Sequence, residues 1–291
     1  MSFIEVIRDA TGQGSLLAEI ETRFSRSDVK RPLRPEHDYI RASSIPSLCP
    51  REEVLAAIHK VNRRDDIDAG LNLTFLHGTS LHWGVQNVLL APMKVLYGTW
   101  RCEGCGFLHG QPDPLREGQR VEDWAIPHPN LCDVPLAGGS KRCTSKEFTY
   151  VEHHFKDNTS RISGHSDGFL VLPSLAGMGI LEIKSIGARY AKEIKSAPQV
   201  GHIIQAHAYM MFTGFKWAKI LYWIKSESGM GSLVEHHIER DEETIRRIAD
   251  MASSTWNGIV SEGEFMPARI CANSFCPRAK GCQLATLCFK E

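Results

Sequence analysis

Hydrophobic and polar positions alternate most clearly in one segment near the middle of the chain. An alternating run extends over Arg161–Leu172, and a second, more apolar run extends over Ile180–Ile186. Between them, Pro173–Gly179 contains proline and glycine, which favour a turn. Two runs of this kind joined by a turn-forming segment predict a β-hairpin.

The predicted hairpin brings together side chains with a particular chemistry. Because side chains alternate between the faces of a strand, Glu182 and Lys184 are expected on one face and Ile183 on the other. Asp167 lies on the neighbouring strand. Two carboxylates and a lysine can hold a divalent metal ion and activate water against a phosphodiester. A solvated strand face is the ordinary alternative for Glu182 and Lys184 taken alone.

Helical periodicity begins just after this hairpin, at Pro198. Gln205 and Tyr209 are one turn apart and share a side of the predicted helix, which is a polar face in its simplest interpretation. Further patterns predict helices over 76–90 and 241–257 and a strand over 216–225. The apolar side of the 76–90 helix is expected to carry Leu81, Val85, Val88 and Leu89. Strands and helices therefore follow one another along the chain, as in an α/β protein.

Composition and charge limit the function classes without selecting one. The 291 residues are 42% hydrophobic, enough for one large domain or two small ones. Lys and Arg total 34 and Asp and Glu total 34, so nucleic-acid binding would have to depend on local basic patches. We find no leader-like N-terminus and no apolar segment of membrane-spanning length, which favours a cytoplasmic protein.

Nine cysteines, clustered and without a secretory leader, indicate metal ligands in a reducing compartment. Cys102 and Cys105 are separated by two residues and are followed by Cys132 and Cys143, in a segment with little apolar periodicity. Two pairs of thiolates match a structural tetrahedral zinc site. Either His109 or His128 could replace one cysteine of the second pair.

A second group of cysteines lies in the C-terminal segment, at Cys271, Cys276, Cys282 and Cys288. Such density is difficult to explain by core packing. Four thiolates in a short run could bind a second zinc ion. The sequence motifs around this group favour a different metal centre, as described below.

The motifs GHSDG, LEIKS and QAHAY occur in the chain in that order. Together they resemble the core of the PD-(D/E)XK nuclease superfamily in its RecB-like form. The resemblance implies an α/β restriction-endonuclease-like fold, which has a mixed central sheet flanked by helices. The resemblance implies catalytic roles for Asp167, Glu182 and Lys184. It also implies that Gln205 and Tyr209 form the helix motif beside DNA. Ser166 stands where many relatives have proline.

The same resemblance extends to iron–sulfur nucleases of the CRISPR-associated exonuclease and AddB type. Cys49 lies in a serine-rich turn before Pro50-Arg51, and the motif CPRAKGC spans Cys276 to Cys282. These features imply a four-iron four-sulfur (4Fe-4S) cluster that joins the two ends of the nuclease domain. Five cysteines compete for four positions, which leaves either Cys271 or Cys288 spare.

The resemblance also implies the ligands of a catalytic Mg²⁺ or Mn²⁺ ion. These are His82, Asp167, Glu182 and the carbonyl group of Ile183, with His77 as the alternate histidine. The expected domains are an N-terminal helical and basic arm (1–40), a nuclease domain (41–96 and 151–291) and a zinc-ribbon insert (97–150). Prolines in the basic segment 26–41 argue against regular structure there.

The expected function is metal-dependent DNA cleavage, most readily as an exonuclease on single-stranded or frayed ends. A helicase, a recombinase or a single-strand-binding protein is a candidate partner. A phage-encoded protein would act in the cytosol of its bacterial host. Two alternatives stay open: a DNA-binding or assembly subunit, as in recombination or CRISPR adaptation, and a zinc-stabilised scaffold without chemistry.

Overall fold

The computed structural model describes residues 26–32, 39–67, 69–113, 115–116, 118–136, 141–226 and 229–290. The predicted helical arm up to residue 25 lies outside these residues. Arg26–Pro32 (β1) is a strand and pairs antiparallel with Asn62–Ile67 (β3), although its prolines predict irregular structure. Pro32 is the last residue of its strand, where a missing N–H group costs least.

The central sheet is mixed. In the described part of the chain its order is β13-β12-β11-β10-β4-β5, and β6 and β7 also pair with β4. Among the described strands of this sheet, only β11 and β12 run parallel. The chain between them forms two helices, Ala191–Ser196 (α3) and Val200–Thr213 (α4), and a parallel connection requires a crossover of this kind. The strands are Leu96–Cys102 (β4), Leu108–His109 (β5), Ile126–Pro127 (β6), Phe148–Val151 (β7), Gly168–Val171 (β10), Met178–Ile186 (β11), Trp217–Ser226 (β12) and Gly229–Glu239 (β13).

A smaller outer sheet has the order β2-β9-β8. Its strands are Ile40–Arg41 (β2), His153–Asp157 (β8) and Ile162–Ser166 (β9). Asp167 is the single residue between β9 and β10, so the chain passes from the outer sheet to the central sheet at this position. The register of β10 and β11, with Gly168 opposite Leu181, confirms the predicted hairpin.

Helices cover both faces of the central sheet. They are Pro50–Ile58 (α1), Ala69–Trp83 (α2), Ala191–Ser196 (α3), Val200–Thr213 (α4), Glu242–Val260 (α5), Pro277–Gly281 (α6) and Ala285–Lys290 (α7). The mixed α/β architecture predicted from the sequence is therefore confirmed. No helix within the described residues combines the length and apolar character needed to cross a bilayer.

The helix predicted over 76–90 changes its geometry along its length. After α2, Gly84–Leu90 forms π-helical turns. Because a π-helix takes more residues per turn, residues beyond Trp83 leave the face that an α-helical period predicts. Val88 and Leu89, predicted to be on the apolar side, are 57% and 41% exposed.

The core lies in two layers, one on each face of the central sheet. The first packs strand residues such as Ile180 and Ile220 against Ala206 and Met210 of α4. The second layer combines Leu181 and Ile183 with side chains of the 76–90 helix and of the cysteine-containing segment. The alternation of β11 therefore directs its two faces into different layers, and Glu182 lies on the face covered by α4.

Candidate active site and metal centres

Asp167 is held at the junction of the two sheets. Its side chain is 7% exposed, and its Oδ2 atom accepts a hydrogen bond from the backbone N–H of Ile183 at 2.6 Å. This bond connects the end of β9 directly to β11. As a result the carboxylate points towards the strand that carries Glu182 and Lys184.

Glu182 and Lys184 share a face of β11, as the strand alternation predicts. Glu182 is 1% exposed, and its Oε1 atom lies 2.5 Å from the Nζ atom of Lys184. The other carboxylate oxygen of Glu182, Oε2, is buried without a hydrogen-bond partner in the described structure. Lys184 also donates a hydrogen bond to Oε1 of Gln205 at 3.1 Å.

Gln205 and Tyr209 face inward from α4. Gln205 is 7% exposed and Tyr209 is 2% exposed. The Nε2 atom of Gln205 donates to the Tyr209 hydroxyl group at 3.4 Å, and that hydroxyl group donates to the carbonyl oxygen of His165 at 2.6 Å. The two side chains therefore connect Lys184 on β11 with β9, next to Asp167, and hold these elements in place.

His82 and Glu152 lie next to Asp167 and form a group of possible metal ligands with it. The Nδ1 atom of His82 lies 3.2 Å from Oδ1 of Asp167 and 3.8 Å from Oε1 of Glu152. One donor atom from each of the three residues lies within 4.8 Å of the others. His77, the alternate histidine, is not in this group within the described residues.

Glu152 is absent from the sequence-based ligand set. It precedes β8 and joins the site only because β8 pairs with β9, a long-range contact that no local motif marks. Gln86 fixes it there, since its Nε2 atom donates to Oε1 of Glu152 at 3.0 Å and to the Asp167 carbonyl oxygen at 2.8 Å. The adjacent HH pair and the acidic residue before a strand are the only local signals that could have suggested it.

The electrostatics of the site reflect crowded acidic groups. Burial opposes the charged form of His82, but hydrogen bonds with Asp167 and Glu152 outweigh it and raise the pKa of His82 to about 10. Burial and the nearby Asp167 charge raise the pKa of Glu182 to about 8, against the opposing effect of Lys184. Burial would lower the pKa of Lys184, yet the Glu182 and Asp167 carboxylates raise it.

These residues fit a hard divalent cation. Two carboxylates and one imidazole, from Asp167, Glu152 and His82, converge. The Glu182 carboxylate is close enough for the charge of Asp167 to raise its pKa, and its buried Oε2 atom has no partner among the described residues. Oxygen-rich donor sets of this kind suit Mg²⁺ or Mn²⁺. A cation bound here would offset the negative charge of the crowded carboxylates.

The four cysteines between Cys102 and Cys143 form a compact sulfur group. The Sγ atoms of Cys102 and Cys143 are 3.7 Å apart, and those of Cys105 and Cys132 are 3.6 Å apart. A tetrahedral zinc site with Zn–S bonds of about 2.3 Å has sulfur–sulfur distances of about 3.8 Å. The spacing therefore fits zinc, and all four cysteines are free of disulfide bonds.

The histidines considered as substitutes lie beside this sulfur group. The Nε2 atom of His109 is 3.4 Å from Sγ of Cys132, a hydrogen-bond contact. The ring of His128 packs edge-on against Trp100, with ring centroids 4.8 Å apart. Burial opposes the thiolate of Cys102, but backbone hydrogen bonds from Cys105 and Gly104 outweigh it and lower the pKa of Cys102 to about 7. Burial and the contacts with the neighbouring cysteines raise the pKa of Cys132 to about 12.

The five remaining cysteines gather where the C-terminal segment meets α1. Cys49, Cys271, Cys282 and Cys288 line one cavity. Cys276 begins α6, and its Sγ atom accepts a hydrogen bond from the backbone N–H of Ala279 at 3.3 Å. In the described residues no three of these sulfurs approach as closely as the first group does.

Solved structures resemble this chain at low similarity. An alkaline exonuclease (LHK-Exo) from Laribacter hongkongensis is 14% identical over 85% of this chain and 95% of that chain, with a TM-score of 0.40. The protein SSO0001 is 14% identical over 95% and 96% of the two chains, with a TM-score of 0.39. A phage related exonuclease from Haemophilus somnus 129PT is 17% identical over 38% and 60%, with a TM-score of 0.26.

No protein-family model and no curated protein matches the sequence. With TM-scores this low, the structural likenesses carry no argument about function. The functional interpretation therefore depends on the geometry of the site itself.

Proposed function

We propose that this protein is a metal-dependent DNA nuclease. The observation that supports it best is the buried Glu182 carboxylate, with one oxygen bonded to Lys184 and the other without a partner beside Asp167. A buried carboxylate is costly unless both of its oxygens are satisfied, and the lysine satisfies only one of them, so the arrangement favours a chemical role. The order of the acid, acid and lysine in the sequence agrees with the PD-(D/E)XK resemblance.

Each residue then has a defined task. His82, Asp167, Glu182 and the carbonyl group of Ile183, joined by Glu152, would hold Mg²⁺ or Mn²⁺, which would act as a Lewis acid and lower the pKa of bound water. The backbone of Ile183 fixes Asp167 through its N–H group. Lys184 places an ammonium group where negative charge increases on a phosphodiester under attack. Gln205 orients that ammonium group, and Tyr209 anchors Gln205 to β9.

The decisive experiment measures Mg²⁺-dependent cleavage of end-labelled DNA by the wild-type protein and by Glu182→Gln and Lys184→Gln. Both substitutions should reduce the rate by at least about 100-fold, because they remove groups that act on the reacting phosphate. Lys219→Gln is a matched control, since Lys219 pairs with Glu235 on the neighbouring strand. Wild-type rates in either site variant would refute the proposal.

The substrate proposal is cleavage from DNA ends, on single-stranded or frayed DNA. A linear single strand and its circular form differ only in having ends. An exonuclease degrades the linear form and leaves the circle intact, whereas cleavage of both at similar rates indicates an endonuclease. A helicase, a recombinase or a single-strand-binding protein would supply or protect such ends.

The cysteine groups have proposed structural roles. Cys102, Cys105, Cys132 and Cys143 would hold Zn²⁺, and four of Cys49, Cys271, Cys276, Cys282 and Cys288 would hold a 4Fe-4S cluster. Anaerobic purification followed by iron, sulfide and zinc analysis tests both assignments. About four irons and one zinc per chain would agree with them. Zinc without iron would make the C-terminal group a second zinc site.

A binding or assembly subunit is the second candidate function. The formal net charge of zero supports it, because DNA-binding enzymes that act alone usually have a positive surface. Tight DNA binding in calcium, with no cleavage in magnesium or manganese, would favour this alternative over the nuclease.

A further inference from the structure

The outer sheet presents basic and imidazole side chains in register on one face. His154 on β8 is opposite His165 on β9, and Lys156 is opposite Ser163. On the other side of β9, Arg41 of β2 is beside Ser163. Arg41, His154, Lys156 and His165 are exposed, whereas the opposite face of the same strands is buried. We call these four residues the outer basic face.

The outer basic face leads directly to the candidate metal site. His153 is opposite Ser166, so continuing that register by one residue places Glu152 opposite Asp167. The carboxylates, the two imidazoles and the Arg41–Lys156 pair therefore form successive rows, each two residues further along the strands. Two residues of a strand span about 6.6 Å. That spacing is comparable with the distance between successive phosphates in an extended nucleic-acid strand.

The positive charge on this face is not neutralised by neighbouring acids. Among the described residues, neither Arg41 nor Lys156 forms an ion pair. Lys156 lies 4.5 Å from the centre of the Tyr39 ring, which orients its ammonium group without neutralising it. Asp157 is turned into the β8–β9 turn, where its Oδ2 atom accepts a hydrogen bond from the Ser160 backbone at 2.8 Å.

The two imidazoles add hydrogen-bond donors in the middle row. The rings of His154 and His165 are stacked, with centroids 4.4 Å apart and an angle of 15° between their planes. A neutral imidazole carries one N–H group, so each ring can donate to a phosphate oxygen without being protonated. The face therefore combines point charges and donors, which is the chemistry that binds a phosphate backbone independently of base sequence.

We propose that the outer basic face binds the phosphodiester backbone of a single nucleic-acid strand and directs it to the Glu152–Asp167 end of the sheet. This inference rests on the proposed nuclease function and adds a location for the substrate strand. It also explains how a chain with no net charge can bind a polyanion, because the positive groups are concentrated beside the metal site. The face is narrow, about two strand spacings across, which suits one strand.

The test measures binding of a short fluorescent oligothymidine in Ca²⁺ over a range of salt concentrations. In the double variant Arg41→Gln/Lys156→Gln, affinity should fall by about tenfold. The slope of log affinity against log salt should become shallower by about 1.4, at about 0.7 for each lost phosphate contact with a single strand. Cleavage at saturating substrate should stay within about twofold of wild type, since the loss is in binding.

Controls separate charge from folding. Lys216→Gln/Arg246→Gln removes the same charges from exposed positions elsewhere and should leave binding unchanged. Lys156→Arg keeps the charge over Tyr39 and should retain affinity. Should the first double variant unfold, His154→Asn/His165→Asn gives a second test, with an expected loss of about threefold for two neutral hydrogen bonds partly replaced by water.

The outcomes distinguish this inference from the proposed function. Wild-type affinity and salt slope in the double variant would overturn it, even if Glu182→Gln abolishes cleavage, and so would a wild-type protein that binds no oligonucleotide. Binding that depends on Arg41 and Lys156 in a protein without nuclease activity would support the face and refute the nuclease. If the double variant lost affinity for a blunt duplex but not for a single strand, the single-strand assignment would be overturned.

Discussion

At the scale of single residues, hydrogen bonds and ion pairs leave the side chains of the site few alternative conformations. Asp167 bonds to the backbone of Ile183, and Lys184 lies between Glu182 and Gln205. Each of these polar groups is buried or nearly so, and buried polar groups are costly unless they are bonded. The geometry of the site is therefore fixed before any substrate arrives.

Glu152 provides a test of the ligand set because only its tertiary position implicates it. We expect Glu152→Gln to weaken Mn²⁺ binding by about 10- to 100-fold, since a neutral amide replaces a charged ligand while Gln86 can still bond to it. Thermal unfolding at increasing Mn²⁺ concentrations measures this, because binding to the folded state raises the melting temperature. Glu147→Gln, an exposed position nearby, is the control. Equal affinities would remove Glu152 from the site.

His202 makes the protein sensitive to acid. Burial, with a contribution from the charge of Lys184, lowers the pKa of His202 from 6.5 to about 4. The unfolded chain thus takes up the proton first, and stability present above pH 6.5 is lost as the pH falls towards 4. When the pH is lowered from 7 to 5, the free energy of unfolding should fall by about 1 kcal/mol less in His202→Gln than in the wild type, after allowing for solvent screening.

Urea unfolding of both proteins at the two pH values measures this difference. The Nδ1 atom of His202 lies 2.9 Å from the Tyr222 hydroxyl group, a contact that glutamine can reproduce. The comparison therefore isolates the titration of the imidazole. Equal losses of stability in the two proteins would show that His202 is not responsible.

At the scale of elements, the junction between β9 and β10 positions the Asp167 carboxylate. The two strands belong to different sheets, and Asp167 alone separates them. Next to it, Gly168 allows β10 to approach β4 closely. A Cβ atom at Gly168 would lie 2.4 Å from Cδ1 of Leu96. The absence of a side chain is thus a packing requirement at this position.

We expect Gly168→Ala to destabilise the protein by about 1–3 kcal/mol, because the buried Leu96 must move to admit the methyl group. Displacement of β10 should also weaken Mn²⁺ binding through Asp167. Gly187→Ala is the matched control, since a Cβ atom there meets nothing within 4 Å and its φ of −67° is ordinary for alanine. Calorimetry of the two variants checks the prediction, and equal melting temperatures would contradict it.

At the scale of the whole molecule, the cysteine segment and the candidate active site share one core. Cys102, Cys132 and Cys143 pack in the same buried cluster as Leu81, next to His82, and Ile183, next to Glu182. Cys102 itself ends β4, a strand of the central sheet. Loss of the sulfur group should therefore destabilise the core on which the candidate active site is built.

We expect Cys143→Ser to lose the bound zinc and to lower the melting temperature by at least about 5 °C, because metal binding is coupled to folding. Total nuclease activity should fall in proportion to the fraction of folded protein. The rate per folded molecule should stay within about threefold of the wild-type rate. Zinc analysis and thermal unfolding measure the two effects. A protein that has no zinc yet melts like the wild type would show that the four cysteines do not stabilise the fold. Thr144→Ser is a control for the local sequence.

Features that depend on local periodicity and motif order could be predicted from the amino-acid sequence. The hairpin, the shared face of Glu182 and Lys184 and the helix with Gln205 and Tyr209 all follow from side-chain periods of two and 3.6 residues. The α/β class follows from the order of these elements. Cysteine spacing marked Cys102 and Cys105, because two intervening residues suit a metal-binding turn.

The contacts between residues that are distant in the chain became visible in the folded protein alone. Glu152 reaches Asp167 because β8 pairs with β9, and the outer basic face exists because Arg41 on β2 lies beside the same strand. Exposure of Val88 was not predicted, since the π-helical turns depend on packing rather than propensity. Strand pairing and packing are long-range, so a local pattern records which face a residue occupies but does not record its partner.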